Sequence, residues 1–218
     1  YMFTNVLRYL EPEQLKKIEE IKFPVNFAKG ETIFKQGAPL THVLVINKGL
    51  LKVYLEDKEQ HSIIIRLIRS GEIVGGPGFH TDYRHHFSLT ALEDTEAFFI
   101  DVMQFENCIL ENSTFAIKFI AYLNKGHIGL FDKLRVFEHK HMNGRMASTL
   151  LYLAEQIYEG DEFETELSRQ DIADMSAMTK ESSIRIIKNF KDSGIIECNN
   201  NYFKLLNKEH LINIMENG

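Results

Sequence analysis

The residues best placed to do chemistry lie in one stretch, Leu167 to Ile196, LSRQDIADMSAMTKESSIRIIKNFKDSGII. Glu181, Ile184, Arg185 and Lys188 recur at spacings of 3, 4 and 7, so on a helix they share one face. Ser183, Ile186, Ile187 and Phe190 fall on the opposite half and supply a core side. A polar, partly basic helical face of this kind can lie in the major groove of duplex DNA while a preceding helix braces it across the backbone. No stretch of the sequence pairs a nucleophile with a base, builds a phosphate loop or marks out two carboxylates as catalytic by spacing.

The elements that must hold this face are legible nearby. Ser168 can cap a first helix by accepting from the amide of Asp171, and Ile172, Ala173 and Met175 give that helix an apolar side. Thr179 can cap the second helix, and Gly194 ends it. The plain alternative is a helical hairpin inside a core, with its charges solvated. The sequel favours the first reading. Ile195-Ile196-Glu197-Cys198, three asparagines and Tyr202-Phe203-Lys204-Leu205 spell a β-hairpin, because Asn tolerates the positive φ of tight turns.

Bulk properties set bounds. The 218 residues can hold two modest domains, and 44% hydrophobic content fits a globular chain. The formal net charge of −6 argues against a binder driven by charge alone. Affinity for nucleic acid must then come from a local basic stripe, which Arg169, Lys180, Arg185, Lys188 and Lys191 can form. Cys108 and Cys198 are far apart, without metal-like spacing, so a reducing cytoplasm is expected. No apolar run reaches membrane-spanning length and no secretory signal is visible, so no membrane partner is expected.

Upstream, from about Val25 to Val102, the pattern changes to short β-type runs. They include Thr32-Ile33-Phe34, His42-Val43-Leu44-Val45-Ile46, Leu50-Leu51-Lys52-Val53-Tyr54-Leu55, the run from His61 to Leu67, and Ala97-Phe98-Phe99-Ile100. Gly30, Gly37, Gly49 and Gly71 stand at the turns, which predicts an antiparallel barrel or double-sheet roll. From about Thr114 to Phe137 the pattern is helical. Ala116, Ile120, Leu123, His127, Leu130, Leu134 and Phe137 form a heptad seam suited to a two-helix contact. Ile117, Ile128 and Phe131 are expected to widen the stripe towards the roll. The alternative is a helix packed only on its own domain. Gly126 and Gly129 either permit a close helix crossing or weaken the helix so that an effector can set its order. Asn143 can cap the helix that follows.

The segments Ser168-Arg169-Gln170-Asp171-Ile172-Ala173, Thr179-Lys180-Glu181 and Arg185-Ile186-Ile187-Lys188 resemble the winged helix of the cAMP receptor protein and fumarate–nitrate regulator family of bacterial transcription factors. The glycine frame Lys29-Gly30-Glu31, Gln36-Gly37, Asn47-Lys48-Gly49 and Ser70-Gly71-Glu72 is similar to the same family's β-roll. The resemblance covers nearly the whole chain. It implies an α+β fold: an N-terminal double-stranded β-helix (a jelly-roll-like, cyclic-nucleotide-binding β-roll), a long dimerisation helix and a C-terminal winged helix-turn-helix. Residues 1–140 would form the sensing roll with its helix over about 112–140, and residues 141–218 the DNA-binding domain.

The resemblance also assigns roles. Glu181 and Arg185 would read base edges, Glu accepting from cytosine N4 and Arg donating twice to guanine O6 and N7. Arg169 and Gln170 match positions that touch phosphate, Lys180 and Lys188 would meet phosphate or base, and Ser182 completes the implied interface. Ile184 stands where the family carries a small or polar residue; it either packs on a thymine methyl or touches only its helix neighbours.

The effector loop departs from the family. Cyclic-nucleotide binders set a Gly-Glu and an Arg-Ser pair around ribose and phosphate. Here the loop reads Val74-Gly75-Gly76-Pro77-Gly78-Phe79-His80, with Gly76 in place of the Glu and His85 and His86 near the Arg-Ser place. Leu130 and Phe131 stand where the family contacts the base, so cAMP is not expected as the effector. A small apolar ligand, a haem or an empty roll remain open, and the histidines, His127 included, are read first as surface or hydrogen-bonded structural groups. With no amino-terminal cysteine group, no iron–sulfur cluster is expected. The whole predicts a cytoplasmic homodimer, not an enzyme, that regulates transcription on palindromic double-stranded DNA, with RNA polymerase as a further implied partner. A ligand-independent regulator with a scaffold roll is the first alternative. A metal-dependent cupin-like enzyme is the second, disfavoured because adjacent His85 and His86 would point to opposite faces of a strand.

Overall fold

The computed structural model describes residues 6–57 and 61–217. They form two compact units, one of residues up to Leu55 and Leu67–Gly129, the other of Glu56–Arg66 and Leu130 onward. After a short 3-10 turn at Val6–Tyr9 comes α1 (Pro12–Ile21), whose proline sits at the first helical position, where its missing N–H costs nothing. Strands β1 (Phe23–Phe27), β2 (Thr32–Phe34), β3 (His42–Lys48), β4 (Leu50–Glu56), β5 (Ser62–Arg69), β6 (Ile73–Val74), β7 (Ser88–Ala91) and β8 (Thr95–Asp101) follow, with no helix between them among the described residues. They make two four-stranded sheets, in the orders β1-β8-β3-β6 and β2-β7-β4-β5. β1 is an edge strand, which is why it tolerates Pro24.

Asp101 ends β8 and caps α2 (Val102–Glu111), its Oδ1 accepting from the amides of Met103 and Gln104. α3 (Ser113–His139) is one continuous helix. Phe115 and Phe119 are buried with Val43, Val45, Ile73, Phe98, Ile100 and Phe105 in the first core. The Tyr122 hydroxyl donates to the carbonyl of Ile73 at 2.7 Å, and Leu123 packs partly on the same cluster. The face of α3 turned to the roll is therefore Phe115, Phe119 and Tyr122. Ile117, Ile128 and Phe131, expected on that side, are exposed instead. The reason is angular: at 3.6 residues per turn, 117, 128 and 131 lie on the half of the helix opposite 115 and 119.

The second unit continues with α4 (Met142–Tyr152), β9 (Glu162–Glu164), α5 (Arg169–Met175), α6 (Lys180–Asp192), β10 (Ile196–Asn199), β11 (Tyr202–Leu205) and α7 (Lys208–Asn217). His141, in extended conformation, precedes α4, so Asn143 lies inside the helix and not at its cap. Met146, Ala147, Leu150 and Leu151 of α4 join Ile172, Ile186, Ile187, Phe190, Phe203 and Leu211 among the buried residues. α7 packs on α4. β10 and β11 pair antiparallel, with Asn199 opposite Tyr202, and β9 adds the third strand.

Candidate nucleic-acid interface

The presentation of α6 follows from its ends. Ser168 and Asp171 form a reciprocal capping box that starts α5. Ala177, at φ +49°, turns the chain between the helices, and the amide of Met178 donates back to the carbonyl of Ala173 at 3.1 Å. The Thr179 hydroxyl accepts from the amide of Ser182 at 3.2 Å and starts α6. Ser183, Ile186, Ile187 and Phe190 are buried, which fixes the rotation of the helix. Lys180, Glu181, Arg185 and Lys188 are left exposed, with Ser182 half-buried beside them. Among the described residues, Lys180, Glu181, Arg185 and Lys188 make no side-chain hydrogen bond or ion pair, so their donors and acceptors face water. Ile184 is 46% exposed on the same face, which keeps an apolar contact with a thymine methyl open.

Three residues read as basic or polar contacts from the sequence have internal partners. The Gln170 amide donates to Oδ1 of buried Asp174 at 2.7 Å. The Lys191 ammonium donates to the carbonyl of Cys198 at 2.9 Å. Arg169 turns its guanidinium to the hairpin, onto the carbonyl of Asn200 and Sγ of Cys198. The outward stripe is thus carried by Lys180, Arg185 and Lys188. Two further residues brace the turn between α5 and α6, and neither was legible as such. Ser62 donates to Asp174, and Lys133 donates to the carbonyl of Met175 at 2.6 Å. Burial lowers the Lys133 pKa to about 8.

In the roll, the loop after β6 is shaped by glycine. A Cβ at Gly78 would fall 1.9 Å from the carbonyl oxygen of Arg84, so only glycine lets the loop close. Gly76 adopts φ +78°, and the Phe87 ring lies 3.1 Å from where its Cβ would stand. Gly75 is buried and Pro77 exposed. His85 is only 6% exposed, stacked on Phe34 with ring centroids 3.5 Å apart, and its Nδ1 has no partner among the described residues. His86 is exposed and pairs with Asp82 at 3.1 Å, while His80 pairs with Glu106 at 3.2 Å. The Arg84 guanidinium donates to the carbonyl of Gly37 at 2.8 Å. Leu130 and Phe131 lie exposed on α3 in the second unit, and His127 is exposed further up that helix.

Burial pulls the His85 pKa from 6.5 to about 4. Between those values the unfolded chain binds more protons than the folded one. The stability present above pH 6.5 is therefore lost as pH falls through about 4. From pH 7 to pH 4.5 the loss should be about 2–3 kcal/mol. His85→Phe keeps the stack on Phe34 and removes the titrating group. Urea unfolding at the two pH values should show the wild type losing that much more stability than the variant; equal losses would mean that the imidazole titrates normally.

A two-sheet roll followed by a long helix and a winged helix-turn-helix defines a class of DNA-binding transcription regulators. Residues 24–112 match the family model described as cyclic nucleotide-binding domain, and residues 144–214 match the Crp-like helix-turn-helix domain. The chain belongs to the Crp/Fnr family of transcription regulators. It is 26% identical to the transcriptional regulatory protein btr of Bordetella pertussis, over 88% of this chain and 81% of that protein. It is 24% identical to the fumarate and nitrate reduction regulatory protein of Escherichia coli, over 92% of this chain and 81% of that one. Among solved structures, FixK2 from Bradyrhizobium japonicum superposes with a TM-score of 0.81 at 19% identity, covering 89% of this chain and 97% of that chain. No described helix is long and apolar enough to cross a membrane.

At the positions that the resemblance sets around a cyclic nucleotide, the roll carries no carboxylate and no guanidinium. Gly76 stands where the resemblance puts the ribose-binding carboxylate, and the Phe87 ring lies beside it, 3.1 Å from where a Cβ would stand. Near the phosphate place stand a buried, neutral His85 and a His86 paired with Asp82, with no fixed guanidinium at those positions. His80, His85 and His86 each have a separate partner: Glu106, Phe34 and Asp82 respectively.

Proposed function

We propose that this regulator acts as a homodimer that reads a two-fold symmetric DNA site, under control of an effector other than a cyclic nucleotide. The observation that carries the reading is the α6 face: Glu181 and Arg185 one turn apart, flanked by Lys180 and Lys188, exposed and without internal partners among the described residues. Arg185 supplies the bidentate geometry for guanine and Glu181 the acceptor for cytosine N4. Two copies related by symmetry set half-sites about one helical turn, roughly 34–36 Å, apart. Effector binding would shift the population between arrangements of the two long helices, and with them the spacing of the recognition helices. Contact with RNA polymerase and action in the cytoplasm belong to the same reading.

The packing of Phe34, His85 and Phe87 supports a second reading, in which the roll is a scaffold without ligand. Selection of bound sequences from random duplex DNA, repeated with haem and with cAMP, tests both. A palindromic consensus with the stated spacing, unchanged by cAMP, is expected. A dependence on haem favours the sensor, and a consensus indifferent to every small molecule tried favours the scaffold. Equal recovery of all sequences under every condition would overturn sequence-specific reading.

A further inference from the structure

Arg169 opens α5, yet its side chain does not extend outward from the helix end. Its Nη2 donates to the carbonyl of Asn200 and lies 3.2 Å from Sγ of Cys198. Its Cζ stands 5.0 Å from the centroid of the Phe203 ring, and its Nη1 is buried without a hydrogen-bond partner among the described residues. Asn200 forms the turn between β10 and β11, at φ +48°. The next carbonyl, that of Asn201, accepts from the amide of Thr165 at 3.0 Å. Two consecutive carbonyls of the hairpin turn are thus tied to the body of the domain, one by a backbone amide and one by this guanidinium. Phe203 and Cys198, which form the floor beneath it, are buried.

We infer that Arg169 is a positioning residue: it locks the β10–β11 hairpin against the start of α5, and so sets where the Asn199–Asn201 turn meets the DNA backbone. It does not itself neutralise a phosphate. The inference rests on the winged helix binding DNA as described above. The chemistry demands a guanidinium. A planar cation can stack on the Phe203 face while its edge donates to the turn, which an ammonium on a flexible stem cannot reproduce. A phosphate-neutralising residue would behave differently, because lysine retains the charge and each lost phosphate contact lowers the salt slope of binding by about 0.9.

The test compares the full chain with Arg169→Lys, Arg169→Gln and Phe203→Leu, all in a Cys108→Ser background so that Cys198 is the only thiol. Phe203→Leu removes the aromatic face without changing charge. Two quantities are read: affinity for the selected duplex across a salt series, and the rate at which a disulfide thiol reagent labels Cys198 in the free protein. All three variants should bind about tenfold more weakly with the wild-type salt slope, and their Cys198 should label at least about tenfold faster. Wild-type affinity in Arg169→Lys, with a slope reduced by about 0.9 in Arg169→Gln, would show a direct phosphate contact and overturn the inference. Faster labelling with unchanged affinity would overturn it too, by showing that hairpin placement does not matter for binding. If the wild type prefers no duplex, the DNA reading fails, while slow labelling lost in the variants would still show the anchor itself.

Discussion

Arg185→Ala should lower affinity for the selected duplex by about ten- to a hundredfold and leave affinity for unrelated duplex nearly unchanged. A bidentate contact with guanine discriminates by about 1–3 kcal/mol, and removing it costs nothing on DNA that never made it. The structure makes this a clean experiment. Arg185 is exposed, makes no side-chain hydrogen bond or ion pair among the described residues, and stands on a helix held by Thr179 at its start and by a buried face. Truncation therefore leaves the fold intact, and surface changes of this kind shift stability by about 0.5 kcal/mol or less. Glu181→Ala should relax the preference at the base pair next to it in the site. Lys188→Ala should behave otherwise if it meets phosphate: weaker binding to every sequence and a salt slope lower by about 0.9. Competition binding with single-base variants of the duplex reads all three effects. A double Arg185→Ala, Glu181→Ala variant that keeps wild-type selectivity would move base reading elsewhere on the domain.

The recognition element was legible because its signals are local. Ser168 and Thr179 cap where a side-chain oxygen three residues ahead of an amide should cap, and Asn200 adopts the left-handed turn that asparagine tolerates. The five apolar runs of the roll became strands for the same reason. What escaped the sequence depends on partners far along the chain. β6 is two residues long and exists only by pairing with Leu44 and Val45. β1 carries Pro24, which reads as a break until the strand is known to lie at a sheet edge. α3 has two apolar stripes, and periodicity alone does not say which one meets its own domain; the roll selects Phe115, Phe119 and Tyr122. Arg169 shows the same limit at the site. Its position in sequence suggests a phosphate contact, and its direction is decided by Phe203 and Asn200, some thirty residues later.

The stripe that the roll leaves uncovered leads to the second large effect. Replacing Ile120 and Leu134 together by Asp should convert the protein to a monomer and weaken binding to a two-half-site duplex by about 10²–10⁴-fold. Ile120 is 55% exposed, Leu134 53% and Phe131 66%, with Ile117 and Ile128 exposed on the same half of α3. These large apolar side chains lie along roughly 25 Å of helix at 1.5 Å per residue, a continuous face that water disfavours. A second α3, running alongside it, would bury that face and meet the seam of Ile120, His127 and Leu134 with its own. A carboxylate placed there loses its hydration in the dimer without gaining a partner, a cost of several kcal/mol per ion, and symmetry imposes it twice. In the separate protomer the same positions already face water, so helix content should be retained. Loss of the dimer removes the second half-site as an intramolecular event, which is where the affinity goes. Sedimentation velocity and titration of duplexes with one and two half-sites measure both consequences. A double variant that still sediments as a dimer would place the interface on another surface. A monomer that binds the two-half-site duplex as tightly as the wild type would show that each winged helix reads its DNA alone.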